Sequence, residues 1–301
     1  VTWSRADLER VAERVRGGAL WDEPMSRHSS LRVGGPADLF LEPADQDDLK
    51  TAVEALQGLG IPSMVVGGGY NLLVRDGGIR GCVISLKRLD TMTQMPGARL
   101  DAGAGVTNQA LTRFAAENCL GGIEFLCGIP GSFGGALTMN AGAHGSETFL
   151  RVEYLTTMRG GEVLVRKGSE VRYGYRFLKL EPGEIVLGAR LRLEPEERRL
   201  IEARMQEYNA KRGGQRVGFP NAGSFFKNPP GESAWRLIDQ AGLRGKTVGG
   251  AQVSEVHTNF LVNRGDARAA DFLTLAAFIK HRVKEESGVE LEEEVRIVGE
   301  G

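Results

Sequence analysis

The chain has 301 residues, of which 41% are hydrophobic and 26% charged, and its formal net charge is -1. Such a length buries a substantial core and predicts two or three domains, while the balanced charge excludes a long-range pull toward nucleic acid or anionic membrane, so basic side chains that matter act locally. No apolar run approaches the roughly 20 residues of a membrane span and no signal h-region is visible, so the expectation is a cytoplasmic protein without membrane insertion, a monomer by default.

Along the chain, Ser4 with Asp7 has the form of a capping box, and Leu8, Val11 and Val15 at helical spacing predict a first helix that stops at Gly17-Gly18. A second amphipathic helix runs from Asp45 through Leu49, Val53 and Leu56 to Gly60. Pro62 to Val66 reads as a short buried strand feeding the glycine loop Val66-Gly67-Gly68-Gly69-Tyr70-Asn71-Leu72-Leu73, and Val83 to Leu86 as the next strand. This β-α-β-type order puts glycines at the carboxyl end of a strand, where α/β folds bind ligands. A helix from Thr107 with Leu111, Phe114 and Ala115 on one face ends at Gly121-Gly122, before a second loop, Gly128-Ile129-Pro130-Gly131-Ser132-Phe133-Gly134-Gly135. A short third cluster stands at Gly103-Ala104-Gly105. Residues without a Cβ let backbone N–H groups come close to phosphate oxygens, so the three clusters together point to a large polyphosphate ligand. Neither loop has the G-x-G-x-x-G dinucleotide pattern or the lysine of a P-loop.

Further on, 152–156 and 162–165 alternate around Gly160-Gly161 as a hairpin does, and Glu184 to Leu193 is another strand. The charged run from Glu194 to Arg204 reads as a solvated helix that leads to a new domain and needs no functional explanation. The last hundred residues hold a short helix at Trp235 to Gln240 with Ser233 as N-cap, and a longer one with Phe272, Ala276, Ile279 and Val283 as its apolar stripe, closed by Gly288. In the final strand Val289, Leu291, Val295 and Ile297 face one way, and Glu292, Glu294 and Arg296 the other. Cys82, Cys119 and Cys127 fit no zinc pattern, no metal is expected, and the three read as reduced, buried thiols.

One segment could carry chemistry. Asn221-Ala222-Gly223-Ser224-Phe225-Phe226-Lys227-Asn228-Pro229-Pro230 places a hydroxyl in a shaped, partly apolar setting, and a buried turn with a satisfied serine would look the same. Ser224 has no G-x-S-x-G elbow, and His28, His144, His257 and His281 form no recognisable serine–histidine pattern, so it suits donating a proton better than attacking a carbonyl.

The order of several motifs is similar to that of the UDP-N-acetylenolpyruvoylglucosamine reductases. They are 29–37 (SSLRVGGPA), the Gly67 and Gly131 loops, Met139 to Ala143, Tyr173 to Phe177, Ala222 to Pro229, Gly249 to Ser254, and Glu294-Val295-Arg296. The resemblance implies an α+β chain: a two-lobed FAD-binding module of the vanillyl-alcohol-oxidase type, with lobes at 1–85 and 86–200, followed by a C-terminal α/β substrate-binding domain at 201–301. It implies non-covalent FAD held by Gly67, Gly68, Gly69, Tyr70, Asn71, Leu72, Gly103, Gly105, Pro130, Gly131, Ser132, Gly134, Asn140, Ala141 and Gly142. NADPH is then the reductant, a UDP-sugar the substrate, and hydride passes from the flavin to C3 of an enolpyruvyl ether. The charge left at C2 and its carboxylate needs a cation or strong donor and a proton source. Arg176 fits the first, with Glu294 beside it, and Ser224 the second. Tyr175, Asn228 and Arg296 are the implied substrate contacts. The stretch from Phe177 to Glu196 is too short for the tyrosine-bearing loop of the family's long form, so the chain resembles the short form. Two other readings stay open on the residues alone: an FAD-dependent oxidase of an alcohol or sugar, and a non-catalytic nucleotide-sugar-binding protein.

Overall fold

A computed structural model describes residues 3–213 and 217–301. The chain forms two compact units: Val1–Trp21, Leu39–Gly68 and Gly81–Gly214 make the first, and Asp22–Asp38, Gly69–Arg80 and Gln215–Gly301 the second. This layout differs from the contiguous blocks expected from sequence, because two short early segments group with the C-terminal third.

In the first unit α1 (Arg5–Ala12) starts with the capping box: the Ser4 hydroxyl accepts the Asp7 N–H at 3.4 Å and the Asp7 carboxylate accepts the Ser4 N–H at 2.9 Å. It ends before the expected Gly17-Gly18, and the reason lies downstream. Buried Asp48 accepts the N–H groups of Arg16, Gly17 and Ala44 at 2.8, 2.9 and 2.8 Å, drawing the chain out of the helix. Asp45 caps α2 (Gln46–Gly58), which buries Leu49, Ala52, Val53 and Leu56. The strand Ser63–Val66 then runs parallel to Ile79–Ser85, pairing Met64 with Val83, but the link between them holds the strand Leu72–Val74 and no helix, so this pair is not the β-α-β unit expected, and Ser63 and Val65 are exposed where a buried strand was expected.

A five-stranded antiparallel sheet has the order Glu162–Lys167, Val152–Arg159, Glu184–Arg192, Arg99–Gly103, Met92–Met95. Its hairpin turn uses Gly160 and Gly161, both at positive φ, the geometry a two-residue turn between twisted strands requires. Thr107 caps α3 (Asn108–Glu117) at 3.1 Å and Ser132 caps α4 (Phe133–Thr138) at 3.3 Å. Leu111, Phe133 and Leu137 from these helices share one core with Leu100, Phe149, Leu155 and Leu191. The charged run after 194 becomes α5 (Arg198–Gly213), and it is not simply solvated: Ile201 is buried, and Arg204 is ion-paired to Glu196 and to buried Glu124.

The second unit carries an antiparallel sheet in the order Asn221–Ser224, Phe260–Asn263, Ala251–Val253, Thr247–Val248, covered by α6 (Ala234–Gln240) and α7 (Ala269–Ser287). Gly288 closes α7 in the left-handed conformation. Phe225, Phe226, Leu261, Phe272 and Ile279 form the core together with Leu31, Val33 and Leu73. The long final strand expected over 289–297 shortens to Arg296–Val298, which pairs parallel to Leu72–Val74. The Phe225 carbonyl accepts the N–H groups of both Glu294 and Val295, at 2.8 and 3.3 Å, and this bends the chain before Arg296. Of the cysteines, Cys82 and Cys127 are buried and burial pushes the Cys82 thiol pKa up, but Cys119, expected to be buried, is exposed.

Candidate active site

The glycines of the first unit are explained by what a side chain would strike. A Cβ on Gly67 would stand 2.4 Å from the Ser132 hydroxyl, so the end of the strand Ser63–Val66 meets the start of α4 only because Gly67 is bare. The two glycine stretches singled out in the sequence are thus neighbours there. On α4 the N–H groups of Phe133, Gly134 and Gly135 are taken by the Val106 carbonyl (2.7 Å), the Ala104 carbonyl (2.9 Å) and the Ser132 hydroxyl (3.3 Å). Gly103 and Gly105 are packing glycines: their Cβ atoms would lie 2.2 Å from the Leu89 and Leu86 carbonyl oxygens, and their N–H groups donate to the Thr91 and Leu89 carbonyls. That use leaves those amides without a role toward a phosphate.

Asn108, at the start of α3, gives its N–H to the Gly131 carbonyl at 3.0 Å and its side-chain amide to the Ile129 carbonyl at 3.1 Å. Its Oδ1 is buried without a partner. An orphaned acceptor calls for a donor, such as a ligand N–H or hydroxyl, rather than for a phosphate oxygen. Pro130 is exposed, and Gly131 at φ 119° turns the chain into the Ser132 cap.

Arg176 occupies the turn of a small hairpin in which Tyr173 pairs with Leu178 and Gly174 with Phe177. Its φ is +63°, its guanidinium lies 4.9 Å from the ring centroid of exposed Tyr175, and Nη2 approaches the Gly142 carbonyl at 3.5 Å. Asn140 holds this hairpin: Nδ2 donates to the Gly174 carbonyl at 3.2 Å and Oδ1 accepts the Phe149 N–H at 3.0 Å. The Ala141 carbonyl accepts both the N–H and the hydroxyl of Thr148, and the bare Gly142 lets the Ser146 carbonyl approach. The 139–143 motif therefore supports the arginine turn. Residues 179–183 connect it directly to the strand Glu184–Arg192, with no inserted tyrosine loop.

In the second unit the remainder of the first glycine loop adjoins the 29–37 motif. Gly69 sits at φ +67° with its missing Cβ 1.9 Å from the His28 carbonyl oxygen, and its own carbonyl accepts the Ser30 N–H at 3.1 Å. The Ser30 hydroxyl is buried without a partner, a donor beside a glycine loop that can meet a phosphate or a ligand hydroxyl. Tyr70 is exposed and Leu72 is buried at the start of its strand. Asn71 reaches elsewhere: Nδ2 donates to the Glu294 carbonyl at 3.0 Å, and its backbone carbonyl accepts the Arg296 N–H at 3.1 Å.

Ser224 and Glu294 come together here. Ser224 ends its strand opposite Phe260, and the next residue, Phe225, accepts the Glu294 N–H. Among the three consecutive carboxylates, Glu292 is ion-paired to Lys227 and Glu293 to Lys280 at 2.9 Å. The face that Glu294 was expected to share with Arg296 is lost, because the chain bends between them, but the backbone contacts of Glu294 tie it to the Ser224 segment. Asn228 is exposed, and its Oδ1 accepts the Ala234 N–H at 3.0 Å, capping α6 where Ser233 makes no side-chain bond. Arg296 is exposed at the start of its strand. His257 packs 4.4 Å from Phe260, and burial lowers its pKa, favouring the neutral imidazole. Sequence reasoning did not single out Asn108, Ser30 or Asn259. Their signal is an unpaired or doubly used polar group, which appears only in three dimensions. No cluster of metal-binding side chains occurs among the described residues, and no helix among them is long and apolar enough to cross a membrane.

Comparison with known proteins gives two family matches: an FAD binding domain over residues 37–172, and UDP-N-acetylenolpyruvoylglucosamine reductase, C-terminal domain, over residues 215–298. The UDP-N-acetylenolpyruvoylglucosamine reductase of Geobacter metallireducens is 60% identical over 292 residues, 97% of this chain and 97% of its own. That of Geobacter sulfurreducens is 58% identical over 293 residues, again 97% of each. The crystal structure of UDP-N-acetylenolpyruvylglucosamine reductase from Thermus caldophilus matches with a TM-score of 0.79 and 37% identity, covering 94% of this chain and 98% of that one.

Proposed function

This chain belongs to the UDP-N-acetylenolpyruvoylglucosamine reductase family, and from that premise we propose how its own residues carry the reaction. It is an FAD- and NADPH-dependent oxidoreductase that reduces UDP-N-acetylglucosamine enolpyruvate to UDP-N-acetylmuramate for peptidoglycan synthesis. When bound, FAD supplies the hydride that NADPH provides, delivering it to C3 of the enolpyruvyl ether. The residues of the first unit fit that group, since Gly67, Ser132 and the orphaned Asn108 oxygen would hold its polar atoms; in the second unit, Gly69 and the orphaned Ser30 hydroxyl are suited to a phosphate or a ligand hydroxyl. Asn140, Ala141 and Gly142, expected at the flavin, would serve the substrate instead, through the Arg176 turn.

Reduction at C3 leaves negative charge at C2, spread into the adjacent carboxylate. Arg176 receives that carboxylate, because its planar fork matches two oxygens where a lysine would offer one point charge. Ser224 donates the proton to C2; a hydroxyl is a weak acid in water, but an enolate is a strong base where water is excluded. Glu294 steadies the developing enol oxygen or the arginine. Tyr175, Asn228 and Arg296 contact the UDP-sugar, and the enzyme acts as a monomer in the cytoplasm on a dissolved substrate. One observation supports the assignment most: the Phe225 carbonyl, next to Ser224, binds the Glu294 N–H at 2.8 Å, so the backbones that carry the two residues meet at one hydrogen-bonded junction.

The test separates the half-reactions. In anaerobic stopped flow, Ser224→Ala should be reduced by NADPH at the normal rate and lose at least the ~10²-fold typical of general acid catalysis when reoxidised by the enolpyruvyl substrate. Near-normal reoxidation would remove Ser224 from the proton-donor role.

A further inference from the structure

Asn259 is 2% exposed and lies immediately before the strand Phe260–Asn263. Its Oδ1 accepts the Phe226 N–H at 3.0 Å, its Nδ2 donates to the Phe226 carbonyl at 2.8 Å, and its own carbonyl accepts the Phe225 N–H at 2.8 Å. One buried residue thus makes three hydrogen bonds to the two residues that follow Ser224.

The ladder that should position Ser224 is interrupted on its other side. Between Asn221 and Ser224 the register shifts, with Gly223 at φ +73° and the Asn221 side chain accepting the Gly223 N–H at 2.9 Å. Ser224 opposite Phe260 is the last pair of that ladder, and beyond it the Asn259 amide stands in for the missing peptide of a neighbouring strand. On the far side the same segment grips 292–295: the Phe225 carbonyl takes the Glu294 N–H, and the Lys227 N–H donates to the Glu292 carbonyl at 2.8 Å. The Asn259 side chain therefore holds the peptide whose carbonyl fixes Glu294, while its backbone carbonyl holds the preceding peptide, from which Ser224 extends. Phe225 and Phe226 already anchor this segment in the core, so apolar packing fixes its depth while the amide fixes its rotation and advance.

We propose that Asn259 is a positioning residue for proton delivery, setting Ser224 relative to Glu294; the proposal rests on the reading of Ser224 as the donor. A displacement of about 1 Å at a reacting group can cost on the order of 10²-fold in rate. Flavin reduction by NADPH uses no proton from Ser224 and should be indifferent to the clamp.

The experiment uses the flavin-loaded full chain with Asn259→Ala, and Asn259→Asp should the first fail to fold; the second keeps the acceptor for the Phe226 N–H and loses the donor to its carbonyl. Each is measured anaerobically in both half-reactions, alone and combined with Ser224→Ala. The expected result is NADPH-driven reduction within about twofold of normal, reoxidation by substrate slowed by roughly 10- to 10²-fold, and little further slowing in the double variant, because a residue acting through another is not additive with it. Unchanged reoxidation in the single variant overturns the proposal. So does equal slowing of both half-reactions, or losses that multiply with Ser224→Ala, since either marks general structural damage. Normal reoxidation in Ser224→Ala alone overturns the donor reading itself and leaves Asn259 with nothing to position.

Discussion

Arg176, which we propose receives the substrate carboxylate, has a backbone that an arginine does not prefer. At φ +63° in a two-residue turn it occupies the left-handed region, which costs a residue with a Cβ about 1–2 kcal/mol. The strain persists because the hairpin is held from outside, with Asn140 bonded to the Gly174 carbonyl and to the Phe149 N–H. Such a residue is retained for what its side chain does. Arg176→Gly should therefore raise the unfolding free energy in denaturant titration by about 1 kcal/mol, the left-handed penalty removed. It should also slow reoxidation by the enolpyruvyl substrate by roughly 10²-fold, as loss of a charge-stabilising donor does. A glycine variant that is less stable and fully active would contradict both halves. The Tyr-Arg context made Arg176 a candidate in the sequence, but its strain was not legible, because nothing local in Tyr175-Arg176-Phe177 announces a left-handed turn. The same limit applied to Glu294: three adjacent glutamates look alike until Lys227 and Lys280 engage the first two and Asn71 and Phe225 hold the backbone of the third.

Among elements, the junction between the strand Ser63–Val66 and α4 shows what the glycine stretches are for. Their meaning as places of close approach was readable from composition, but not what approaches. Gly67 admits Ser132, whereas Gly103 and Gly105, which look the same in sequence, admit the carbonyls of Leu89 and Leu86. Helices and strands with strong periodicity were legible, as were the ends set by local caps at Ser4 and Gly288, but not the end of α1 or the start of the last strand, since Asp48 and the Phe225 carbonyl act on backbone far from them in sequence. In Gly67→Ala the new methyl would stand 2.4 Å from the Ser132 hydroxyl and drive it off the Gly135 N–H. The expected cost is about 1 kcal/mol, that of a lost N-cap, together with weaker flavin retention. Ser132→Ala alone should destabilise by a similar amount, and the double variant no more than either, because both act through one hydroxyl. Thermal unfolding of the three variants, with flavin absorbance of the purified proteins, decides this. Additive losses would mean that Gly67 is needed for some other contact.

At the scale of the whole molecule, the second unit cannot be read off as a block of sequence, because it is assembled from Asp22–Asp38, Gly69–Arg80 and Gln215–Gly301. Composition marks a change near residue 200, and a contiguous substrate domain from 201 onward is the natural reading of that change. The core says otherwise: Leu31, Val33 and Leu73, contributed by the two early segments, are buried at 0%, 3% and 0% exposure among Phe225, Leu261 and Phe272. The early segments also supply the strand Leu72–Val74 that pairs with Arg296–Val298, the Asp76 carboxylate that accepts the Ala269 and Ala270 N–H groups at 2.9 Å each, and the Leu31 carbonyl that accepts from Asn263. Removing three fully buried aliphatic side chains forgoes roughly 1.5–3 kcal/mol apiece. The sum approaches the whole stability of an ordinary domain, about 5–15 kcal/mol, before the lost pairing and the uncapped start of α7 are counted. A fragment of residues 217–301 should therefore lack a cooperative thermal transition and show collapsed amide dispersion by NMR. A chain in which 22–38 and 69–80 are present should fold. If the isolated fragment unfolded cooperatively with native-like dispersion, the early segments would be accessories to an independent domain. Otherwise the loop from Gly69 onward and the strand bearing Arg296 are one folding unit, and Glu294 is set in place only when the early segments and the C-terminal third have all been made.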